Sequence, residues 1–528
     1  MKKIVISKAE VKHVAKLAHL KLSTRKLEIY TKQLQAILGY VKDLSHVNTS
    51  SIKPTYQTID DTVNIFRKDN VSPSLSQKSV LSQSKSSHKG FFVVDNVFEK
   101  KDEVKKTNNK KSKKRVQIDK YNAALTLVNT KGTIGHKDLF MTQGVETTAG
   151  SAVLSGYKAH YSAVVVKQLE AKGFKTKYKL NQDAWGHGSS GENSDFGPTQ
   201  NPWDQSRTPG GSSSGSAVAV AQGLVEAATG TDTCGSIRLP SNYTGVVGIK
   251  PTYGAISRYG VIAFASSLDC PGVIARSVKE VRKFFNIVSQ ADKNDANSLS
   301  KARYTPSDTK TIKTIGIPEE FFGKGLDKQV EKTIKKAIDT FSKNGFKIKS
   351  VSLPHTKYAV AAYYLINPTE TSSNLARYTG VRYGNSRDTF GSEAERRIML
   401  GTFASSAGYA DRYYEQAAKV RTLIVEDFSQ AFSKVDAILG PVAPTPPFKL
   451  GEKVGDPLKM YLTDVYAAPV SLSGIPALAL PCGFTTSGLP IGMQLIGPRW
   501  SEEKLFDAGE KYQQVTDWHK QKPKAYEK

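Results

Sequence analysis

The sequence predicts an α/β fold, a mixed central β-sheet covered by helices, preceded by a small helical module. Three observations predict it. From about residue 117 short apolar runs such as DAILGPVAP and IPALALPCG alternate with helical stretches such as KQVEKTIKKAIDTFSKNGF. The first forty or so residues repeat apolar positions at helical spacing instead. A lysine-rich run separates the two textures.

In the N-terminal module, Val11, Val14, Leu17, Ala18 and Leu20 recur at intervals of three and four, one face of a short helix. Ser23 is placed to cap a second helix, whose stripe is Leu27, Tyr30, Leu34, Ile37, Leu38, Val41 and Leu44. Two such helices bury little by themselves and need another surface to lie on. After His46 the chain turns polar and turn-rich, like a tail that wraps a neighbour. The run EKKDEVKKTNNKKSKKR (99–115) carries nine Lys/Arg against three acids and no apolar period, so it reads as a disordered tether. The expected division is a helical and wrapping module at 1–98, a linker at 99–116 and the α/β domain at 117–528.

Composition excludes several classes. No apolar run approaches the ~18 residues of a membrane span, and the basic start lacks the unbroken apolar core of a signal peptide. Cys234, Cys270 and Cys482 are too few and too scattered for a disulfide framework or a zinc site, which points to a reducing, cytoplasmic compartment. The net charge of +27 has two readings, a polyanionic partner or a lysine-rich background.

The chemistry concentrates in RTPGGSSSGSAVAVAQGL (207–224). A Gly/Ser string is ordinarily a linker, but this one runs straight into a small-residue helix and then into GTDTCGSIRLPSNYTGVVGIKPTYG. A phosphate-binding GxxxxGK[ST] is absent. Gly211–Gly215 matches GxSxG around Ser213, yet no hydrophobic strand precedes it, as a nucleophile elbow requires. What remains is a serine nucleophile without histidine, for which a lysine kept neutral by burial would serve as base. Lys137, in TIGHKDLFMTQGVETTAGS, is a candidate.

HKDLFMTQGVETTAGS, PGGSSSGSAVAVA and GTDTCGSIRLPSNYTGVVGIKPTYG, in that order, resemble the amidase signature family. Lys137 precedes Ser212 by 75 residues and Ser212 precedes Ser236 by 24, separations that fit its Ser–cisSer–Lys pattern. The resemblance implies an amidase-signature fold with Ser236 as nucleophile, Ser212 as bridging serine after a cis Gly211–Ser212 peptide, and Lys137 as terminal base. It also implies an oxyanion loop around Thr233, Cys234 and Gly235.

GENSDFGPTQNPWD, SRYGVIAFASSLD, RRIMLGTFASSAGYADRYYEQ and DPLKMYLTDVYAAPVSLSGIPALALPCG narrow the resemblance to one branch, the A subunits of aspartyl/glutamyl-tRNA amidotransferases. It runs from about residue 120 to 515. Residues 6–100 resemble the C subunit of the same enzyme, so the chain reads as a C–A fusion. The implied activity is a glutaminase, whose ammonia converts misacylated Glu-tRNA(Gln) or Asp-tRNA(Asn) to the amidated form. Asp464 would meet the substrate ammonium and Arg397 its carboxylate, with Tyr363 or Tyr364 lining the pocket. No cofactor is expected in this chain. ATP and Mg2+ belong to a separate B subunit, which also holds the tRNA. Neither membrane nor DNA is an expected partner.

The chain departs from the family in five places, of which a change of GGSSGGS to GGSSSGS is mild and a second is a short loop between Gly384 and Arg396. GTDTGGS has become GTDTCGS, which puts a side chain at 234 that would crowd the loop or strain a glycine-type conformation. The segment before Lys137 is short. His136 replaces an apolar residue and is expected to point to solvent. Two further readings stay open: a stand-alone amidase of small amides, and a scaffold weakened by the change at Cys234.

Overall fold

Ser7 opens the first helix, Lys8–Leu17, with a reciprocal capping box: its hydroxyl accepts from Glu10 N while the Glu10 carboxylate accepts from Ser7 N. Ser23 caps the second, Thr24–Val41, by accepting from Lys26 N. The computed structural model describes residues 6–59, 69–84, 86–94, 117–298, 311–380 and 384–524. The expected linker, 99–116, lies outside them.

The predicted stripes face inward: Val11, Val14, Ala18, Leu20, Tyr30, Leu34, Ile37, Leu38, Val41 and Leu44 are all buried, in one core cluster with Leu400 and Phe403 of the helix Ser392–Ser405. Two stripe residues differ: Leu27 is half-buried, and Leu17 is 49% exposed at the end of its helix. The polar tail then runs along the helix Gln416–Phe432. Thr49 Oγ1 donates to Gln416 Oε1 at 2.8 Å, Thr55 N to Ala418 O at 3.1 Å, and Arg421 Nη1 to Tyr56 O at 3.1 Å.

A small hairpin pairs β1 (Ser87–His88) with β2 (Phe91–Phe92). The remaining strands are β3 (Ala124–Leu127), β4 (Ile134–Lys137), β5 (Thr176–Leu180), β6 (Ala227–Thr231), β7 (Val247–Lys250), β8 (Pro271–Ala275), β9 (Thr314–Pro318), β10 (Lys347–Val351), β11 (Ala437–Pro441), β12 (Ala477–Phe484) and β13 (Pro490–Ile496). They form one sheet in the order β10-β9-β11-β13-β12-β7-β8-β6-β4-β5-β3. Parallel pairs at β10/β9, β9/β11, β6/β4 and β4/β5 coexist with antiparallel ones, so the sheet is mixed as the sequence predicts. Every residue of β6, β7, β8, β11 and β13 is buried. A sheet covered on both faces accounts for the continuous apolar runs in the sequence.

The Gly/Ser string is packed, not flexible. All nine residues of the helix Ser214–Gln222 are buried. A Cβ on Gly215 would stand 2.3 Å from Ala123 O and 2.6 Å from Asn181 O, so only glycine lets the helix approach β3 and β5 this closely.

Candidate active site

Lys137 ends β4 and Thr231 ends the neighbouring parallel strand β6, so both side chains leave the sheet at its C-terminal edge. Lys137 Nζ donates to Ser212 Oγ at 2.7 Å and to Thr231 Oγ1 at 2.8 Å, with no exposure to solvent. Its hydrogen-bond partners are hydroxyls, not carboxylates. Burial brings its pKa down to about 7, against the opposing pull of the Asp183, Asp232 and Asp269 charges. Asp183 is itself raised to about 6 by burial, although the Asn193 and Gly191 amides donate to it at 2.9 and 3.0 Å.

Ser212 follows a cis peptide to Gly211. The backbone is tight here: a Cβ on Gly211 would lie 2.0 Å from Asp183 Oδ2. Ser213, centre of the GxSxG match, donates to Thr231 O at 3.3 Å, and its amide donates to Ser236 O at 3.1 Å. It joins the two serine-bearing segments and belongs to no His-based triad.

Ser236 stands just before the helix Arg238–Thr244 and is 6% exposed. Asp232 shapes the loop beneath it. Its carboxylate accepts from Gly235 N at 2.6 Å and from the Ile237 and Arg238 amides at 3.3 Å each. Burial would raise the Asp232 pKa, but the Arg238 charge and hydrogen bonds outweigh it and hold the group near 2. Arg238 also donates to Gln494 Oε1 of β13, Ala467 O and Ser471 Oγ. Gly235 N–H is therefore committed to Asp232. Among the described residues the amides of Thr233, Cys234 and Ser236 make no such bond, and Thr233 Oγ1 donates to Asp269 at 3.0 Å.

The loop's glycine-type conformation falls at Gly235, with φ +107°, and Cys234 has no positive φ. The strain expected of the cysteine is therefore absent. Its thiol is buried, and its pKa is driven up first by burial and then by the Asp464 charge.

Beside this loop lies a buried cluster of opposite charges. A Cβ on Gly235 would lie 3.9 Å from Asp464 Oδ1. Asp464 accepts from Ser189 Oγ at 2.8 Å and Tyr364 OH at 3.2 Å, and burial lifts its pKa to about 7. Arg397, from the helix Ser392–Ser405, donates through Nε to Glu393 at 2.8 Å and through Nη1 to Asn367 Oδ1 at 2.8 Å. Its guanidinium lies over the Tyr364 ring at 5.1 Å and the Phe264 ring at 5.5 Å. Tyr363 meets Tyr364 edge-on. His187 is buried with neither ring nitrogen bonded, and Asn367 Nδ2 and Tyr461 Oη are likewise without partners. So many orphaned polar groups beside an Asp and an Arg suit a small zwitterionic ligand.

Sequence reasoning missed Thr231, Asp183, Asp232, Arg238 and Glu393. Thr231, Asp232 and Arg238 stand within GTDTCGSIR itself, so the motif held these residues although not their partners. It also misplaced His136, which is fully buried rather than solvent-facing. His136 sits opposite Thr229 across the β4/β6 pair, with Nδ1 3.1 Å from Thr229 Oγ1. Burial, then the Lys179 charge, holds it neutral with a pKa near 3.

Two family models match the chain: Amidase over residues 107–506, and the Glu-tRNAGln amidotransferase C subunit over 22–94. A Cupriavidus necator protein, named as the A subunit of glutamyl-tRNA(Gln) amidotransferase, is 47% identical over 422 residues, covering 74% of this chain and 84% of that protein. Its namesake in Myxococcus xanthus is 49% identical over 406 residues, covering 73% and 83%. The crystal structure of the Thermotoga maritima protein of that name superposes with a TM-score of 0.63 at 40% identity, over 73% of this chain and 85% of that one. The chain belongs to the amidase family, in the branch of the glutamyl-tRNA(Gln) amidotransferase A subunits, and carries a C-subunit module ahead of its amidase domain.

Proposed function

We propose that this chain is the glutamine-hydrolysing component of a tRNA-dependent amidotransferase, with a Ser236–Ser212–Lys137 triad. The observation that carries the reading is the 2.7 Å contact of a fully buried Lys137 with Ser212 Oγ. A lysine with a pKa of about 7 is substantially neutral at physiological pH and can accept a proton.

In this mechanism Ser236 Oγ attacks the side-chain carboxamide carbon of glutamine. Its proton passes to Ser212, whose own proton passes to Lys137 Nζ. The oxyanion is held by backbone N–H groups of the 233–236 loop; such donors contribute about 3–4 kcal/mol each to the transition state. Because Gly235 N–H is bonded to Asp232, that work falls to its neighbours. Lys137 returns the proton through Ser212 to the leaving nitrogen, and ammonia departs. Water then attacks the glutamyl ester by the reverse relay and releases glutamate. Asp464 receives the substrate ammonium and Arg397 its carboxylate, a charge pairing that small uncharged amides cannot use.

The ammonia goes to a B-type partner that binds misacylated tRNA and uses ATP and Mg2+ to activate the acyl group. Among the described residues no helix is long and apolar enough to cross a membrane, and a role in translation fits the cytoplasm. Of the +27 charge, six units lie in 99–115, and we assign the rest to weak steering of a complex that handles tRNA together with a lysine-rich background.

Reconstitution with the partner tests this reading. Ser236→Ala should abolish glutamine-dependent amidation of misacylated tRNA, while added ammonium salt should still support it. Unchanged glutamine-dependent product would overturn the serine assignment. Brisk hydrolysis of simple amides, indifferent to partner and tRNA, would favour a stand-alone amidase.

A further inference from the structure

The module helix Thr24–Val41 meets the helix Ser392–Ser405 through a chain of polar contacts that ends at Arg397. Gln33 Oε1 accepts from Arg396 Nε at 2.8 Å. Arg396 Nη1 pairs with Glu393, and the other oxygen of Glu393 accepts from Arg397 Nε at 2.8 Å. Glu395, the nearby competing carboxylate, is occupied from the module side. Lys26 Nζ bonds both its oxygens, at 2.7 and 2.8 Å, and Tyr30 OH donates to Oε2 at 2.5 Å.

Arg396 and Arg397 are successive buried cations that share one carboxylate, Glu393. Two like charges in one low-dielectric site must be divided among fixed acceptors, or one draws the carboxylate from the other. Gln33 supplies Arg396 with a second acceptor, so Glu393 can serve both. Lys26 and Tyr30 keep Glu395 from joining the exchange.

We infer that the N-terminal module positions the substrate-carboxylate end of the pocket: docking of Gln33, Lys26 and Tyr30 on the helix Ser392–Ser405 sets Arg397 through the Arg396–Glu393 pair. The inference rests on the reading of Arg397 as the carboxylate's partner. It makes Gln33 a positioning residue, since it acts on the site only through others.

The test is calorimetric binding to the full chain carrying Ser236→Ala, which stops turnover. The two ligands are glutamine and glutaminamide, whose α-carboxylate is replaced by a neutral carboxamide. Gln33→Leu should weaken glutamine about five-fold, the worth of one ordinary hydrogen bond, and glutaminamide less than about two-fold. Lys26→Met should act in the same sense. Unchanged glutamine affinity, or an equal loss for both ligands, overturns the inference. Arg397→Met separates the two ideas. If it discriminates against glutamine and Gln33→Leu does not, the module's role alone is wrong. If it fails to discriminate, the assignment of Arg397 falls and takes this inference with it.

Discussion

Arg238 grips Asp232 with two parallel hydrogen bonds, Nε to Oδ2 and Nη2 to Oδ1, each 3.0 Å, with neither side chain exposed. Bidentate geometry is what makes a buried ion pair tolerable, and removing one partner strands the other. Arg238→Met should therefore cost about 3–5 kcal/mol of stability by leaving the buried Asp232 charge without its bidentate partner. Thermal unfolding of the full chain checks the stability, and a glutaminase assay checks the loop. A melting curve like that of the parent would show that the pair is dispensable.

In the proposed mechanism Lys137 acts when neutral, so kcat should rise with pH through about 7 and level off above it. Folding adds its own signature. Between about 7 and the lysine's ordinary value of 10.5 the unfolded state holds a proton that the folded state does not. Stability therefore climbs with pH across that window. Lys137→Met should lower kcat by about 10³-fold or more yet raise the melting temperature at neutral pH. A variant both inactive and less stable would mean the lysine contributes more to folding than its burial costs.

Asp464 must be ionised to hold an ammonium, and burial has lifted it to about 7. The KM for glutamine should fall as pH rises through this range, while kcat in the bound complex follows Lys137. Asp464→Asn should raise KM by about 10–100-fold, the value of one charge-assisted hydrogen bond. A flat KM between about pH 6 and 8 would remove Asp464 from substrate binding.

Neighbouring positions in the 233–236 loop should respond oppositely to small changes. A Cβ on Gly235 would lie 2.8 Å from Ala467 Cβ on a backbone at φ +107°, so Gly235→Ala must displace the loop and should abolish hydrolysis. Cys234 carries no such constraint, and Cys234→Gly should leave kcat within about two-fold of the parent. Steady-state kinetics of the two variants side by side would settle the matter, and a large gain from Cys234→Gly would show that the thiol crowds the site.

The meeting of Lys137 with Ser212 was legible because the resemblance turns on contiguous motifs, and the mixed sheet because strands buried on both faces write themselves as apolar runs. The module's helices were legible from spacing and caps. Thr231 was not: a threonine closing one strand becomes a partner of Lys137 only when β4 and β6 lie side by side. His136 was misplaced for the same reason, since alternation along β4 says nothing about what covers its second face. Glu393 is an ordinary helix-start acid in sequence, and only tertiary packing sets two arginines on it.

Gln494 accepts from Arg238 across 256 residues of chain, and donates to Pro441 O and Tyr466 O. Arg238 has its full set of partners only once β13 is in place. During synthesis the loop emerges midway, yet its arginine must wait for β13, the last strand of the sheet in chain order, to gain that acceptor. A chain released before β13 would still carry the segments that join Lys137, Ser212 and Thr231, but Arg238 would lack its Gln494 acceptor.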